Sequence, residues 1–495
     1  MAPPSIDSPC RQLPMSALKI FNTMTRRKEL FSPLRAGEVR MYVCGVTVYD
    51  YCHLGHARSA LVFDVIRRHL ELSGYRVEFV KNFTDVDDKI IKRANEQNVS
   101  CDTITAKYIQ AYYEDMRKLG VRQASVEPKA TEHMAEIITL VEALIRKGTA
   151  YEVAGDVYFE VEKYPAYGRL SKRKADDLLA GARVEVDERK RNPMDFALWK
   201  SSKPGEPYWE SPWGRGRPGW HIECSAMSMK HLGETFNIHG GGADLIFPHH
   251  ENEIAQSCAA TGKEFARYWA HNGFVQINQE KMSKSLGNYF TIRDIFGKSE
   301  WPEEVTGEIL RFFLLANHYR NPLDFSDQGL REAKNALDAF YDLFNRLKET
   351  AKTVGPVNDT LSTVIERTRS AFEQAMDDDF NTPAAMAELQ GLRSEVNKLL
   401  ETGLSAEARE QARQSFRVLG AVMGLFQLET WQFNVDVSDI GVRGLDDATI
   451  ERLKDERNQA RKRKDFARAD EIRKLLAAEG VTLEDRPDGS TRWKR

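Results

Sequence analysis

The chain has 495 residues and carries 71 Lys and Arg against 74 Asp and Glu, a formal net charge of -3. That balance excludes a uniformly basic nucleic-acid binder and confines any polyanion contact to local patches. The length allows about three to four domains, and no run of about 18 apolar residues predicts a membrane span. The opening Met1 to Pro9 is Pro- and Ser-rich, lacks the apolar core of a signal peptide, and reads as a disordered tail. Six scattered cysteines (Cys10, Cys44, Cys52, Cys101, Cys224, Cys258) form no close-spaced framework, which fits free or metal-bound thiols in a reducing cytosol.

Leu18 to Asn22 and the apolar, β-branched run Val39 to Val48 read as the first strands. Ala57, Ala60, Leu61, Phe63, Ile66 and Leu70 then recur at helical spacing until Ser73-Gly74. His53-Leu54-Gly55-His56 therefore falls at a helix N-terminus, where unpaired N–H groups and the dipole suit a phosphate. Two imidazoles there can donate to phosphate oxygens that gain charge during reaction. Arg76 to Val80 is the next strand, which predicts a βαβ unit of a parallel sheet. It runs into the polar Asn82-Phe83-Thr84-Asp85-Val86-Asp87-Asp88, at the edge where an open α/β sheet binds ligands.

The βαβ rhythm breaks from about residue 110 to 202, with a helix over Ala130 to Lys147 and short strands around Tyr151 to Val161. This reads as an insertion between the halves of a nucleotide-binding fold. Its basic tracts, 169–174 and 183–191, suit either RNA or a solvated loop. The second half resumes at Gly219-Trp220-His221-Ile222-Glu223-Cys224, followed by His239-Gly240-Gly241-Gly242-Ala243-Asp244 and Phe247-Pro248-His249-His250-Glu251-Asn252-Glu253. Three glycines after a short strand leave room for a flat ring or ribose against the backbone. Lys281-Met282-Ser283-Lys284-Ser285 places two lysines and two hydroxyls on one loop, a phosphate clamp.

Short helices connect Arg293 to Phe325. Ser326 to Gln427 is nearly all helical in pattern, with Asn381 or Thr382 capping a helix that has Pro383 in its first turn. A basic helical region over Asp446 to Glu479 and a hairpin turning at Pro487-Asp488-Gly489 close the chain, a combination suited to single-stranded RNA.

His249 and Glu253 stand four apart, and with two thiolates they would complete a tetrahedral zinc site. Cys44 and Cys224 are the candidate thiols, both beside segments at the ligand edge of the sheet. Spacing alone leaves His250 and Glu251 as competitors.

His53-Leu54-Gly55-His56 together with Lys281-Met282-Ser283-Lys284-Ser285 resembles the paired signatures of class I aminoacyl-tRNA synthetases. The runs around Cys44, Cys224 and His249, with Asp379-Phe380-Asn381-Thr382-Pro383, resemble those of bacterial-type cysteinyl-tRNA synthetases from about Leu18 onward. The resemblance implies an α/β Rossmann-like catalytic domain with an insertion, then a helical bundle and a small C-terminal α/β domain. The expected divisions are a tail over 1–17, the catalytic domain over 18–295, a connecting segment over 296–325, the bundle over 326–430 and an anticodon-binding region over 431–495. It implies one Zn2+ held by Cys44, Cys224, His249 and Glu253, and Mg2+ with ATP. His53, His56, Lys281 and Lys284 would stabilise the reacting phosphates, with Ser283, His239, Gly240, Gly241 and Asp244 near the nucleotide. Gly45, Thr84 and Trp220 would line a cysteine pocket. The implied partners are ATP, L-cysteine and tRNA(Cys), the expected state is a cytoplasmic monomer without a membrane, and selection of the thiol by zinc predicts no editing domain. Two other readings share parts of this pattern: a cysteine ligase of the same fold acting on an amino sugar, and a non-catalytic RNA-binding protein with structural zinc. The basic C-terminal region argues against the first, and the two phosphate-binding signatures argue against the second.

Overall fold

A computed structural model describes residues 18–172, 188–277, 280–281, 289–349, 359–433, 447–463, 465–478, 480–486 and 491–494. A hairpin of β1 (Lys19–Asn22) and β2 (Arg27–Leu30) leads into β3 (Glu38–Thr47), α1 (Leu54–Leu72) and β4 (Arg76–Thr84). Next come α2 (Asp88–Gln97), α3 (Cys101–Lys118), α4 (Met134–Arg146), β5 (Ala150–Val153), β6 (Asp156–Phe159), β7 (Phe196–Ser201) and β8 (Gly216–Pro218). The chain returns to the core with α5 (Trp220–Leu232), β9 (Phe236–Gly242), α6 (Glu251–Thr261), β10 (Ala266–Asn272), β11 (Val275–Ile277) and β12 (Glu280–Lys281).

The central sheet is parallel, in the order β10-β9-β3-β4, while β5-β6-β7-β8 forms a separate antiparallel sheet. Both faces of the central sheet are covered, so Met41 to Cys44 of β3 are buried without a break. Along β3 the side chains alternate between two cores. Val39, Met41 and Val43 join the core containing α1, and Tyr42 and Cys44 join the one containing α5 and α6. That alternation aims the Cys44 thiol at α5.

β4 is longer than the sequence pattern predicts and includes Asn82 and Thr84. The reason lies in a register shift between Val43 and Val46, where Asn82 Oδ1 accepts from Gly45 N at 2.9 Å. A Cβ on Gly45 would lie 1.5 Å from the Asn82 carbonyl oxygen, so only glycine fits. The three glycines at 240–242 likewise belong to β9 rather than following it. The space their side chains would take is filled by Phe63 at Gly240, by Leu245 and His250 at Gly241, and by Asp244 at Gly242.

After the core come α7 (Ile292–Lys298), α8 (Glu303–Leu315), β13 (Leu323–Phe325), α9 (Asp327–Lys348), α10 (Asp359–Asp377), α11 (Thr382–Thr402) and α12 (Ala406–Met423). The expected cap is present: Asn381 accepts from Ala384 N, with Pro383 in the first turn of α11. The C-terminal region contains α13 (Asp447–Lys462), α14 (Phe466–Ala478) and the antiparallel pair β14 (Thr482–Asp485) and β15 (Thr491–Lys494). Ile450, Ile472, Leu476, Val481 and Leu483 give this region its own small core. The hairpin turn expected at 487–489 and the turn at 355–356 lie outside the described residues. No helix among those described is long and apolar enough to cross a membrane.

Candidate metal centre and nucleotide-binding turn

Four residues from three places in the chain converge at the C-terminal edge of the sheet. Cys44 comes from β3, Cys224 from the first turns of α5, His249 from the turn before α6, and Glu253 from the first turn of α6 itself. Their ligand atoms all lie within 4.8 Å of one another, and none of the four is more than 8 % exposed. Cys44 Sγ is 3.7 Å from Cys224 Sγ and 3.3 Å from Glu253 Oε1, and His249 Nε2 is 3.0 Å from the same Oε1. The ligand atoms of a second, overlapping set, Cys44, His239, His250 and Glu253, also lie within 4.8 Å of one another. The histidine that spacing left as a competitor is thus also at the cluster, with His250 Nε2 3.3 Å from Cys44 Sγ. Glu251 turns away and accepts from the backbone of Gly168 and Ser171.

Crowding so many acids in a dry site has electrostatic consequences. Burial first, and then the neighbouring Cys224, push the Cys44 thiol well above its usual range. The hydrogen bond from Cys44 leads in pulling Cys224 down to about 6. Burial opposes the charge on His249, but Glu253 and Cys224 outweigh it and raise that imidazole to about 10. Burial likewise opposes the Glu253 carboxylate, and His239 and His249 overrule it, holding it well below the usual range. Two sulfurs, one imidazole nitrogen and one carboxylate oxygen form a donor set suited to tetrahedral zinc. A divalent cation would relieve the like-charge contact that protons relieve here, so the residues fit the metal.

The surrounding groups orient these ligands. His239 Nε2 lies 2.9 Å from Glu253 Oε2 and its ring stacks on Trp269 at 4.6 Å. His221 Nδ1 lies 2.9 Å from His249 Nδ1, and His250 leads on to His271 at 2.8 Å. His221 was legible as a helical neighbour of Cys224, three residues before it. His271 carries no sequence signal, since only the pairing of β9 with β10 brings it close.

Trp220 is 41 % exposed and lies against His249 with ring centroids 4.3 Å apart, which gives the cluster an open aromatic wall. Thr84 Oγ1 donates to Glu223 Oε2 at 3.1 Å, and Gly45 lies beside Cys44. Asp244 is exposed near the end of β9, whereas His239 is fully buried behind Glu253.

At the start of α1 the two histidines cap the helix. Gly55 N donates to His53 Nδ1 at 3.0 Å and His53 N donates to His56 Nδ1 at 3.2 Å. An Nδ1 that accepts is unprotonated, so each neutral ring carries its proton on Nε2. The rings stack at 3.7 Å, and burial, followed by the neighbouring His53 imidazole, holds His56 well below the usual imidazole range. Residues 289–292, downstream of the lysine-bearing motif, lie against this turn. Leu54 N donates to Phe290 O at 3.3 Å, Ile292 N donates to Cys52 O at 2.9 Å, and Tyr289 meets His53 edge-on at 5.3 Å. The backbone of Lys281 pairs with Gln276 in β11. Ser283 and Lys284 lie outside the described residues.

Residues 30–335 match the family model described as the tRNA synthetases class I (C) catalytic domain, and residues 371–427 match the DALR domain. A cysteine–tRNA ligase of Syntrophotalea carbinolica is 53 % identical over 486 residues, covering 97 % of this chain and 99 % of that protein. One from Geobacter sulfurreducens is 53 % identical over 485 residues with the same coverage of each. Among solved structures, Mycobacterium tuberculosis methionyl-tRNA synthetase in complex with methionyl-adenylate aligns with a TM-score of 0.56 at 15 % identity, over 79 % of this chain and 90 % of that one, a likeness of fold alone. With a catalytic-domain match over more than half its length and such relatives along nearly all of it, this chain belongs to the cysteine–tRNA ligases of the class I tRNA synthetases.

Proposed function

We propose that the chain joins L-cysteine to ATP, giving cysteinyl-adenylate and pyrophosphate, and then passes the cysteinyl group to the 3′-terminal adenosine of tRNA(Cys). The observation that carries this reading is a buried S2NO donor set whose Cys44 lies on β3, the strand that leads into the two histidines capping α1.

The first step is attack of the cysteine carboxylate on the α-phosphate. No protein nucleophile is needed, so positioning and charge stabilisation supply the acceleration. His53 and His56 would donate from Nε2 to the phosphates, because their Nδ1 atoms are committed to the backbone. Lys281, Ser283 and Lys284 would hold the phosphates from the other side, with Mg2+ accompanying ATP. Asp244, Gly240 and Gly241 would border the nucleotide, and His239 would contribute from beneath by holding Glu253. Trp220, Gly45 and Thr84 would frame the cysteine.

Cys44, Cys224, His249 and Glu253 would hold one zinc ion. When bound, zinc supplies a soft Lewis-acid position that takes a thiolate far more readily than a hydroxyl, which separates cysteine from serine. A site built around one such contact rejects an analogue by on the order of 10⁴–10⁵, so no editing domain is required. We place the enzyme in the cytoplasm as a monomer.

Replacing Cys224 with Ala tests the assignment. Metal content and cysteine-dependent pyrophosphate exchange should disappear together; exchange that survives without metal refutes it. Charging of a tRNA(Cys) transcript, with no transfer to an amino sugar, separates the proposed acceptor from its rival.

A further inference from the structure

Helix α1 is held at both ends. Its first turn carries His53 and His56, and its last turn is fastened to the helical bundle. Arg68 donates through one guanidinium nitrogen to Ala421 O near the end of α12 at 3.0 Å, and through Nε to Asp64 at 2.9 Å. The next residue, His69, is buried, with Nε2 2.8 Å from Asp377 Oδ1 at the end of α10.

Asp377 begins a run of three aspartates that all grip the catalytic half. Asp378 pairs with Lys28 of β2 at 2.7 Å. Asp379 is fully buried and accepts from Phe21 N at 2.8 Å, Tyr319 Oη at 2.8 Å and Arg320 Nε at 2.7 Å. The turn also holds Asp379 and Phe380 at φ of 66° and 51°. Such left-handed backbone is strained for a non-glycine residue and persists where its surroundings over-determine it. The C-terminal region meets the bundle at α9, where Arg486 pairs with Glu349 just beyond its end at 2.9 Å and Arg492 pairs with Asp342.

Resting on the function proposed above, we propose that Asp377, with Arg68 and His69 in the last turn of α1, is the positioning link through which tRNA held on the bundle and C-terminal region sets His53 and His56. A 19-residue helix is a rod about 28 Å long. A displacement at its packed C-terminal turn is carried to the first turn because close-packed interfaces shift between discrete arrangements rather than deforming. A stitch that only stabilises would change folding free energy and leave communication between the two ends intact.

The test uses the full-length chain and measures the Kd of a non-hydrolysable cysteinyl-adenylate analogue with and without saturating tRNA(Cys) transcript. The wild-type ratio should be at least about fivefold, the lower end of ordinary coupling. Asp377→Ala should leave the Kd without tRNA within about twofold and collapse the ratio toward one, while Asp377→Asn, which keeps an acceptor for His69, should restore it. Should Asp377→Ala not fold, Arg68→Met carries the same expectation. A wild-type ratio of one, or an unchanged ratio in the variants, overturns the link. Failure of the wild type to bind the analogue at all would overturn the adenylate-site reading beneath it.

Discussion

Two clusters of buried charge lie on opposite faces of the parallel sheet, and they are built on opposite plans. On the α1 side, Asp64 gathers Arg68, Arg122 and Arg311, and Arg311 also donates to the carbonyls of Leu119 and Gly120 at 2.9 and 3.0 Å and to that of Met423. Burial works against the Asp64 carboxylate, yet the guanidinium groups beside it hold it below the usual range. On the α5 side, two thiols and a carboxylate crowd together with too few cationic partners of their own. The first cluster brings its own counter-charges and is complete. The second is a set of donors that calls for a cation from outside. Buried charge is costly unless paired, so an unbalanced cluster is informative where a balanced one is merely structural.

The sharpest way to break this comparison is to damage the balanced cluster. Arg311→Met leaves Asp64 short of a partner and takes the Arg311 donor from the carbonyls of Leu119 and Met423, while Gly120 O keeps Arg68, and should cost about 3–5 kcal/mol in urea unfolding while metal content stays unchanged. Because the folded pKa of Asp64 is depressed, its contribution is present above the ordinary 3.8 and lost as pH falls through the lower folded value. Loss of metal in Arg311→Met would show that the two clusters are not independent.

Chelation attacks the other cluster. Metal at a thousandfold excess over Kd stabilises by about 4 kcal/mol, so a chelator should lower the melting temperature of the wild type and leave Cys224→Ala unmoved. An equal response from both would place the metal elsewhere.

A control comes from a buried carboxyl held by hydrogen bonds, where the nearby Arg311 only partly offsets the effect of burial. Glu308 accepts from Phe426 N at 2.6 Å and Tyr341 Oη at 2.7 Å, and burial pushes it up to about 7. Its folded pKa lies above the unfolded 4.5, so its favourable contribution is complete below that value and lost as pH rises through 7. Wild-type stability should therefore fall by about 3 kcal/mol across that window on this account, and Glu308→Gln should flatten this limb in a pH series of urea titrations.

The smallest effect belongs to the wall of the metal centre. Trp220→Ala removes a ring contact of about 1 kcal/mol and should raise the KM for cysteine about fivefold with metal content intact. A loss of metal would instead make Trp220 a support for His249.

Much of the α/β core was legible in the sequence, because it rests on local chemistry: the β3 run, the helical period after His56 and the Asn381 cap are short-range signals. The metal set was legible only in part, since the spacing of His249 and Glu253 left His250 and Glu251 open and the family resemblance, not local pattern, singled out Cys44 and Cys224 with them. The roles of Gly240, His239 and His271 were not legible. Gly240 makes way for the Phe63 ring, and His239 and His271 meet the metal set only through parallel pairing between strands distant in sequence. Asp377 and Asp378 carry no signal in the sequence, and the fold alone sets them against His69 and Lys28.

The most direct measurement is X-ray absorption at the zinc edge of the purified protein, with and without L-cysteine. Two sulfurs, one nitrogen and one oxygen are expected around the metal in the free protein, and a third sulfur when cysteine is added but not when serine is. A sulfur count that cysteine leaves unchanged would contradict selection of the substrate by its thiol.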